Sequence, residues 1–515
     1  MERSFKKEVT TLRLGDGDMF HGEGILGVTK ALLQSGVSYV GGYQGAPISH
    51  LMDVLSDAKP LLDELGIHFE VCANEASAAA MLAASVNYPI RGAVTWKSVV
   101  GTNVASDGLS NLASAGVKGG AVIVVGEDYG EGSSIIQERT HAFAMKSTMC
   151  LLDPRPELPT MTRMVEEAFK LSEASNMPSV LELRIRACHV YGHFEAKDNV
   201  NPLYSRNNKI PAAEFDFSRV CLPPATYTQE KHKIEHRLPA AIKYIADNNL
   251  NERFDGDVPE IGIIVQGGIY NTLMRGLRQF GLADSYGKCR ISTLVMNVTY
   301  PMVPDEIADF CVSKDAVLVV EEGQPEFIEQ AINAILRKKD VNAKIIGKDV
   351  FPMAGEYTSE VMLKGLYGFL SNYAPAGLNV KTVLAEIDQL FSDRDGAREI
   401  LGDGLPLRTP SFCTGCPERP IFSALKILEK ELGPAHISAD IGCHTFAALP
   451  PFNVGNTVMG YGLGLASSAG LAPSFHKRVI SIMGDGGFWH NGMTSGVAAA
   501  QANGNDAVLL VVKNG

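Results

Sequence analysis

The sequence predicts an α/β chain built on parallel sheets, and three observations predict it. Short apolar runs alternate with longer helix-like stretches through most of the 515 residues, the pattern of strands joined by helical crossovers. Hydrophobic residues make up 45% of the chain and charged ones 20%, enough apolar material for several cores and too little charge for a disordered chain. The 51 glycines point to many tight turns and close backbone approaches. At ~150 residues per domain, the length corresponds to three or four domains.

In the first block, residues 1–200, strands are expected at Tyr39–Gly42, Phe69–Cys72, Ala93–Trp96, Ala121–Val125 and Ser179–Arg184, with helices at Glu75–Asn87 and Val165–Ser175. Residues 201–256 are polar, carry no clear periodicity, and read as a linker or covering segment. A second block, 257–400, opens on a strand at Glu260–Val265. A helix follows near Thr272–Phe280, then strands at Ile291–Met296 and Ala316–Glu321. After a Gly/Asp/Pro-rich stretch at Gly402–Pro410, the last block, 401–515, places a helix at Met459–Ala469 and a strand at Val479–Met483. A helix at Asn491–Asn503 and a strand at Ala507–Val512 complete it.

Charge and composition exclude several classes. Lys+Arg total 46 against 58 Asp+Glu, a net charge of −12, which argues against nucleic acid as a partner. No apolar run approaches the ~18 residues of a membrane span, so no membrane insertion is expected. Met1–Thr11 carries Glu2, Lys6, Lys7 and Glu8 and lacks the apolar centre of a signal peptide. The chain reads as cytoplasmic. Cys72, Cys150, Cys188, Cys221, Cys289 and Cys311 are scattered and suit buried small hydrophobes. Cys413, Cys416 and Cys443 stand together near the end.

Gly-Asp-Gly occurs at Gly15–Gly17, Gly402–Gly404 and Gly484–Gly486. The first two read as turns. The third lies between a strand and a helix, and the next strand ends at Asn514. A carboxylate and an amide at the ends of parallel strands meet where such sheets bind ligands. Asp485 and Asn514 are oxygen ligands suited to Mg2+ or Ca2+, while Gly484 and Gly486 admit a diphosphate. Val71–Ala79 is a strand that ends in Glu75 and opens an Ala-rich helix.

The strand–GDG–helix–strand–Asn arrangement resembles the thiamine diphosphate and Mg2+ motif of thiamine-dependent enzymes. Longer stretches are similar to the 2-oxoacid:ferredoxin oxidoreductases, and most of all to the large subunits of the indolepyruvate type. They are Gly41–Pro47, Trp96–Asp107, Gly116–Gly120, Cys413–Pro420 and Asp440–Pro451. The resemblance implies two thiamine-binding α/β domains flanking a transketolase-C-like domain, into which Val319–Glu322 fits. It implies that Glu75 hydrogen-bonds the aminopyrimidine, favouring the tautomer that takes the thiazolium proton. It implies a third metal ligand two residues after Asn514, past Gly515, so the motif is expected to be cut before completion.

Gly442 and His444 sit at an expected strand end beside the diphosphate, and His444 and His490 are candidate proton donors or acceptors. Gly460, Gly462 and Gly464 either admit the diphosphate at a helix start or allow close helix packing. Gly45 and Ala46 form the substrate turn. Ala46 replaces the family's hydroxyl residue, with Ser49 and His50 as substitute donors, and Lys97-Ser98 replaces the usual Lys-His. The role of Asn103 is open. Cys413, Cys416 and Cys443 match three positions of a [4Fe–4S] site in related enzymes, or else form a tight turn with a packed third thiol.

The reaction implied is oxidative decarboxylation of a 2-oxoacid, by family default an aryl pyruvate such as indolepyruvate, to acyl-CoA. Electrons pass through iron–sulfur centres to ferredoxin or a similar acceptor. A small γ-like subunit and a homo- or hetero-oligomer are also implied. Two alternatives stand beside this: a non-oxidative thiamine-dependent decarboxylase or carboligase without a cluster, and a cofactor-less assembly subunit.

Overall fold

The computed structural model describes residues 3–130, 136–404 and 410–513. The chain divides into two compact units, Met1–Asp395 and Gly396–Gly515. As the sequence predicts, the fold is α/β with several largely parallel sheets.

The first unit begins with strands β1 (Met19–Glu23), β2 (Tyr39–Gly42), β3 (His68–Val71), β4 (Gly92–Lys97), β5 (Ala121–Glu127), β6 (Cys150–Leu152), β7 (Ser179–Arg184) and β8 (Tyr191–Glu195). β1 and β8 form an antiparallel ribbon. The others run parallel in the order β6-β7-β5-β4-β2-β3. Both faces are covered along β2, β4, β5, β6 and β7, so these strands are buried almost throughout rather than alternating, while the edge strand β3 is largely exposed. In β5, Val122 and Val124 pack with the helices Gly24–Gln34 and Leu158–Ser175, whereas Ile123 and Val125 pack on the opposite face with Ala78, Leu109 and Leu112.

Strands β9 (Glu252–Phe254), β10 (Val258–Gln266), β11 (Ile291–Met296), β13 (Ala316–Val320) and β14 (Lys344–Ile346) build a second sheet, ordered β14-β13-β10-β11-β9. Only β9 is antiparallel. The strand between β11 and β13, β12 (Val298–Tyr300), leaves this sheet and joins the first one beside β6. A buried ionic seam reinforces that link. Arg184 at the end of β7 holds Asp153 at 3.0 Å and also bonds Glu322. Arg139 holds Glu321 at 2.5 Å. All five side chains are 1–3% exposed, and such charges persist in the interior only when paired.

Two helix expectations need correction, and one segment gains detail. Within residues 201–256, expected as a linker or covering segment, Ala225–His232 and Leu238–Asp247 are helical. Arg237 between them donates to the carbonyls of Ala113, Ser114 and Ala115, capping the end of the helix Ser106–Ala115. That contact is tertiary, so no local periodicity announces it. The helix expected at Glu75–Asn87 breaks into Glu75–Met81 and Ala84–Asn87. Ser85 is drawn inward to the Tyr39 hydroxyl and the Ile90 carbonyl, and Tyr88, preceding Pro89, is extended. The helix expected at Met459–Ala469 shrinks to Gly464–Ser468, because Gly462 takes φ +76° just before it.

The second unit carries a four-stranded parallel sheet, β16-β15-β17-β18, from β15 (Ile437–Ala439), β16 (Thr457–Val458), β17 (Ile480–Gly484) and β18 (Val508–Val512). Its core is small, centred on Phe422, Phe452, Ile482 and Val512.

Candidate functional site

In the second unit the candidate residues gather at the C-terminal ends of β15 and β17, neighbouring parallel strands with Ala439 opposite Ile482. Asp440 follows β15 directly and is fully buried. Its Oδ2 accepts the Gly462 amide at 2.8 Å, and its Oδ1 lies 2.7 Å from Nε2 of buried His444. The other His444 nitrogen, Nδ1, is buried with no hydrogen-bond partner among the described residues. A Cβ on Gly442 would press on this imidazole at 2.7 Å.

Asp485 follows β17 and opens a helix. It is half-buried and accepts the Gly486 amide at 3.1 Å. The helix winds as a π-helix over Phe488–Ala498, a geometry frequent at functional sites. His490 lies in that turn, 4% exposed, its ring edge-on to Tyr461 at 4.9 Å.

The glycines divide into two kinds. A Cβ at Gly462 would lie 2.3 Å from the Gly487 carbonyl, one at Gly464 2.9 Å from the Ile482 carbonyl, and one at Gly486 2.2 Å from the Tyr461 hydroxyl. These three serve close packing, and Gly460 with Gly462 precedes the helix instead of opening it. At Gly484 a Cβ would meet nothing within 4 Å. The open space at Gly484, with the half-buried Asp485 next in sequence, fits a phosphate-bearing group with its cation. Asn514 lies outside the described residues.

In the first unit, Glu75 is 1% exposed and opens the helix Glu75–Met81 four residues after β3. Asn74 caps this helix: its Oδ1 accepts the Ser77 amide at 2.9 Å, while the Ser77 hydroxyl accepts the Asn74 amide at 3.2 Å. A buried carboxyl at a strand end suits a hydrogen bond to a ring nitrogen. The turn containing Gly45 and Ala46 follows β2, and Gly45 lies over Lys97, where a Cβ would sit 2.6 Å from that of the lysine. Ala46 is exposed, Ser49 opens the helix Ser49–Asp57, and His50 Nδ1 is 3.9 Å from Glu23 Oε1. Asn103 donates to Glu138 at 3.1 Å.

Sequence reasoning named two further residues without giving either a role. Asp440 organises the second unit, and its position directly after a buried strand, like that of Asp485, was the available signal. Lys97 ends β4 beside the Gly45 turn. Burial holds its ammonium below the usual lysine range, with the charge of Asp128 opposing.

Cys413 and Cys443 are exposed and Cys416 partly so. A turn closes from the Cys416 amide to the Cys413 carbonyl at 3.2 Å. Among the described residues these three thiols do not converge within 4.8 Å, as zinc ligands would. An iron–sulfur cluster asks for wider spacing.

A family profile described as "Thiamine pyrophosphate enzyme, C-terminal TPP binding domain" matches residues 440–515. Subunit IorA of indolepyruvate oxidoreductase from Methanothermobacter thermautotrophicus is 27% identical over 513 residues, covering 98% of this chain and 76% of that protein. IorA from Thermococcus kodakarensis is 26% identical, covering 95% and 73%. Among solved structures, a 2-oxoglutarate:ferredoxin oxidoreductase from Magnetococcus marinus is similar at TM-score 0.48 and 13% identity, over 68% of this chain and 65% of that one.

Proposed function

We propose a reaction for a chain that belongs to the large-subunit family of the indolepyruvate oxidoreductases: thiamine diphosphate-dependent oxidation of a 2-oxoacid, with aryl pyruvates such as indolepyruvate as the substrate class. The products are acyl-CoA and CO2, and the electrons leave through iron–sulfur centres to ferredoxin or a similar acceptor. A smaller partner subunit completes the enzyme.

One observation carries the reading. Each unit presents a carboxylate at the end of a parallel strand, opening a helix: Glu75 buried, Asp485 half-buried. Thiamine diphosphate, when bound, supplies the carbon nucleophile for decarboxylation. Glu75 holds the proton shared with the pyrimidine ring nitrogen. Asp485, with Asn514, offers oxygen ligands to Mg2+. The open backbone at Gly484 receives the diphosphate, and Asp440 keeps His444 oriented beside it. The turn at Gly45, with Lys97 beneath and Ser49 beyond, faces the substrate, and the amine of Lys97 pairs with its carboxylate. Cys413, Cys416 and Cys443 are the thiols we assign to a cluster.

The test is calorimetric titration of thiamine diphosphate with Mg2+ into the wild type, Glu75→Gln and Asp485→Ala. Heat is expected with the wild type and Glu75→Gln and is lost in Asp485→Ala. Acceptor reduction driven by the 2-oxoacid falls in both variants. No heat with the wild type overturns the proposal and supports an assembly role. Cofactor binding without iron or acceptor reduction turns it toward a non-oxidative decarboxylase.

A further inference from the structure

Among the described residues, one trio of side chains converges as metal ligands do, and it includes neither Glu75 nor Asp485: Glu23, His50 and His189, whose ligand atoms are all within 4.8 Å of one another. Glu23 ends β1 of the antiparallel ribbon, His189 precedes β8, and His50 is the second residue of the helix Ser49–Asp57. His189 Nδ1 lies 2.5 Å and His50 Nδ1 3.9 Å from Glu23 Oε1. The two imidazoles meet edge to face at 5.3 Å.

We propose that this trio binds a borderline divalent cation of the Zn2+ class, through Nδ1 of both histidines and Oε1 of Glu23. Zinc bonds of 2.0–2.2 Å in a tetrahedron put neighbouring ligand atoms about 3.3 Å apart. The two observed separations bracket that value, so small side-chain rotations complete the site. His50 Nδ1 is sealed from solvent and has no hydrogen-bond partner among the described residues, a costly state for a buried nitrogen that coordination relieves. Phe5 packs on the His50 ring at 5.2 Å and holds it there. His189, 42% exposed, supplies the entry path and room for a water as fourth ligand. Two imidazoles favour zinc, cobalt or nickel over magnesium or calcium.

Arg3 works against the ion. Its guanidinium bonds the other Glu23 oxygen, Oε2, at 2.7 Å, leaving Oε1 to the histidines but placing a positive charge beside the cation. A bound ion ties the ribbon to the helix that begins just beyond the Gly45 turn. It also turns His50 Nδ1 away from the substrate role expected from sequence.

The experiment is titration of Co2+ alone into the full chain with Mg2+ in excess, followed by its visible bands. The wild type is expected to bind one Co2+ at a nitrogen/oxygen site with no thiolate charge-transfer band, which separates this site from Cys413, Cys416 and Cys443. His189→Ala and His50→Ala are each expected to weaken binding roughly tenfold or more, and Arg3→Gln to strengthen it severalfold. His189 is at the surface, so its variant keeps the fold, checked by circular dichroism. Wild-type binding that His189→Ala and Glu23→Gln leave unchanged, binding seen only with a thiolate band, or no binding overturns the proposal.

Discussion

Glu75 and Asp485 occupy equivalent places, each opening a helix just beyond a parallel strand, yet their surroundings differ. Glu75 is buried in a large two-sided core, and Asn74 and Ser77 cap its helix reciprocally. Asp485 is half-buried above a small core, and its helix begins at Gly484 with no side-chain cap. The difference follows from chemistry. A carboxyl that shares a proton works best shielded from water, whereas a cation ligand must stay reachable, and the backbone before it must leave space for phosphate oxygens. The second site keeps open the room that a cap would occupy.

The sharpest way to break this comparison is at the two carboxylates. Glu75→Gln is expected to lower kcat by about 10^2–10^4, the usual contribution of a positioned acid–base group, with little change in cofactor affinity. Asp485→Asn is expected to weaken Mg2+-dependent cofactor binding first, with kcat recovering as the cofactor is raised. Steady-state kinetics at varied thiamine diphosphate separates the two. Identical patterns in both variants would remove the distinction between a shielded and an open carboxylate.

Buried histidines extend the comparison. In the second unit His444 has the Asp440 carboxylate at 2.7 Å. In the first, His141 is 3% exposed, stacked on Phe327 at 5.5 Å and edge-on to Tyr300. Burial, with Arg139 adding to it, lowers its pKa to about 3. The unfolded chain takes up this proton below about pH 6.5 and the folded one does not. Stability is therefore full above pH 6.5 and falls as pH drops toward 3, by about 2 kcal/mol already at pH 5. Denaturant unfolding of the wild type and His141→Phe at pH 7 and pH 5 measures it. The variant is expected to lose less on acidification, and an equal loss would clear His141 of the effect.

Sequence legibility followed the same divide. Ser179–Arg184 and Ile291–Met296 form strands at the expected residues, each a six-residue run buried along its whole length. Asp485 was legible because it directly follows a largely buried strand, whereas Glu75, four residues past the mostly exposed β3, was legible from the Ala-rich helix it opens. What escaped depends on distant partners. Helices in 225–247 dock through Arg237 on carbonyls more than a hundred residues away. β12 is three residues long and pairs in the other sheet. Asp440 was visible as a strand end, but its grip on Gly462 requires a turn that only φ +76° permits.

Glycines give a smaller test. Gly487 and Gly108 both lie in helices. A Cβ at Gly487 would fall 2.0 Å from Asp440 Oδ2 and displace the carboxylate that holds the Gly462 amide. Gly487→Ala is expected to destabilise the second unit by about 1–3 kcal/mol. At Gly108 the nearest atom is the Ala79 Cβ at 3.4 Å, so Gly108→Ala is expected to stabilise the first by about 0.5–1 kcal/mol. Opposite signs in thermal melts are the expected result. Destabilisation of similar size at both would mean that the packing at Gly487 is not special.

The smallest effect isolates the cap. Asn74→Ala removes the acceptor for the Ser77 amide and is expected to cost about 1 kcal/mol, with Asn74→Asp restoring most of it. Because Glu75 is the next residue, loss of the cap also frees the first turn that aims its carboxyl. The variant should therefore lose kcat beyond what its lower stability explains at temperatures where it stays folded. Gly484→Ser makes the converse change: it adds a cap to the Asp485 helix, is expected to stabilise that helix by a few tenths of a kcal/mol, and closes the space kept for the diphosphate. Tighter folding with weaker cofactor binding in Gly484→Ser, against weaker folding with unchanged cofactor binding in Asn74→Ala, is the outcome that an open phosphate site opposite a capped proton site requires.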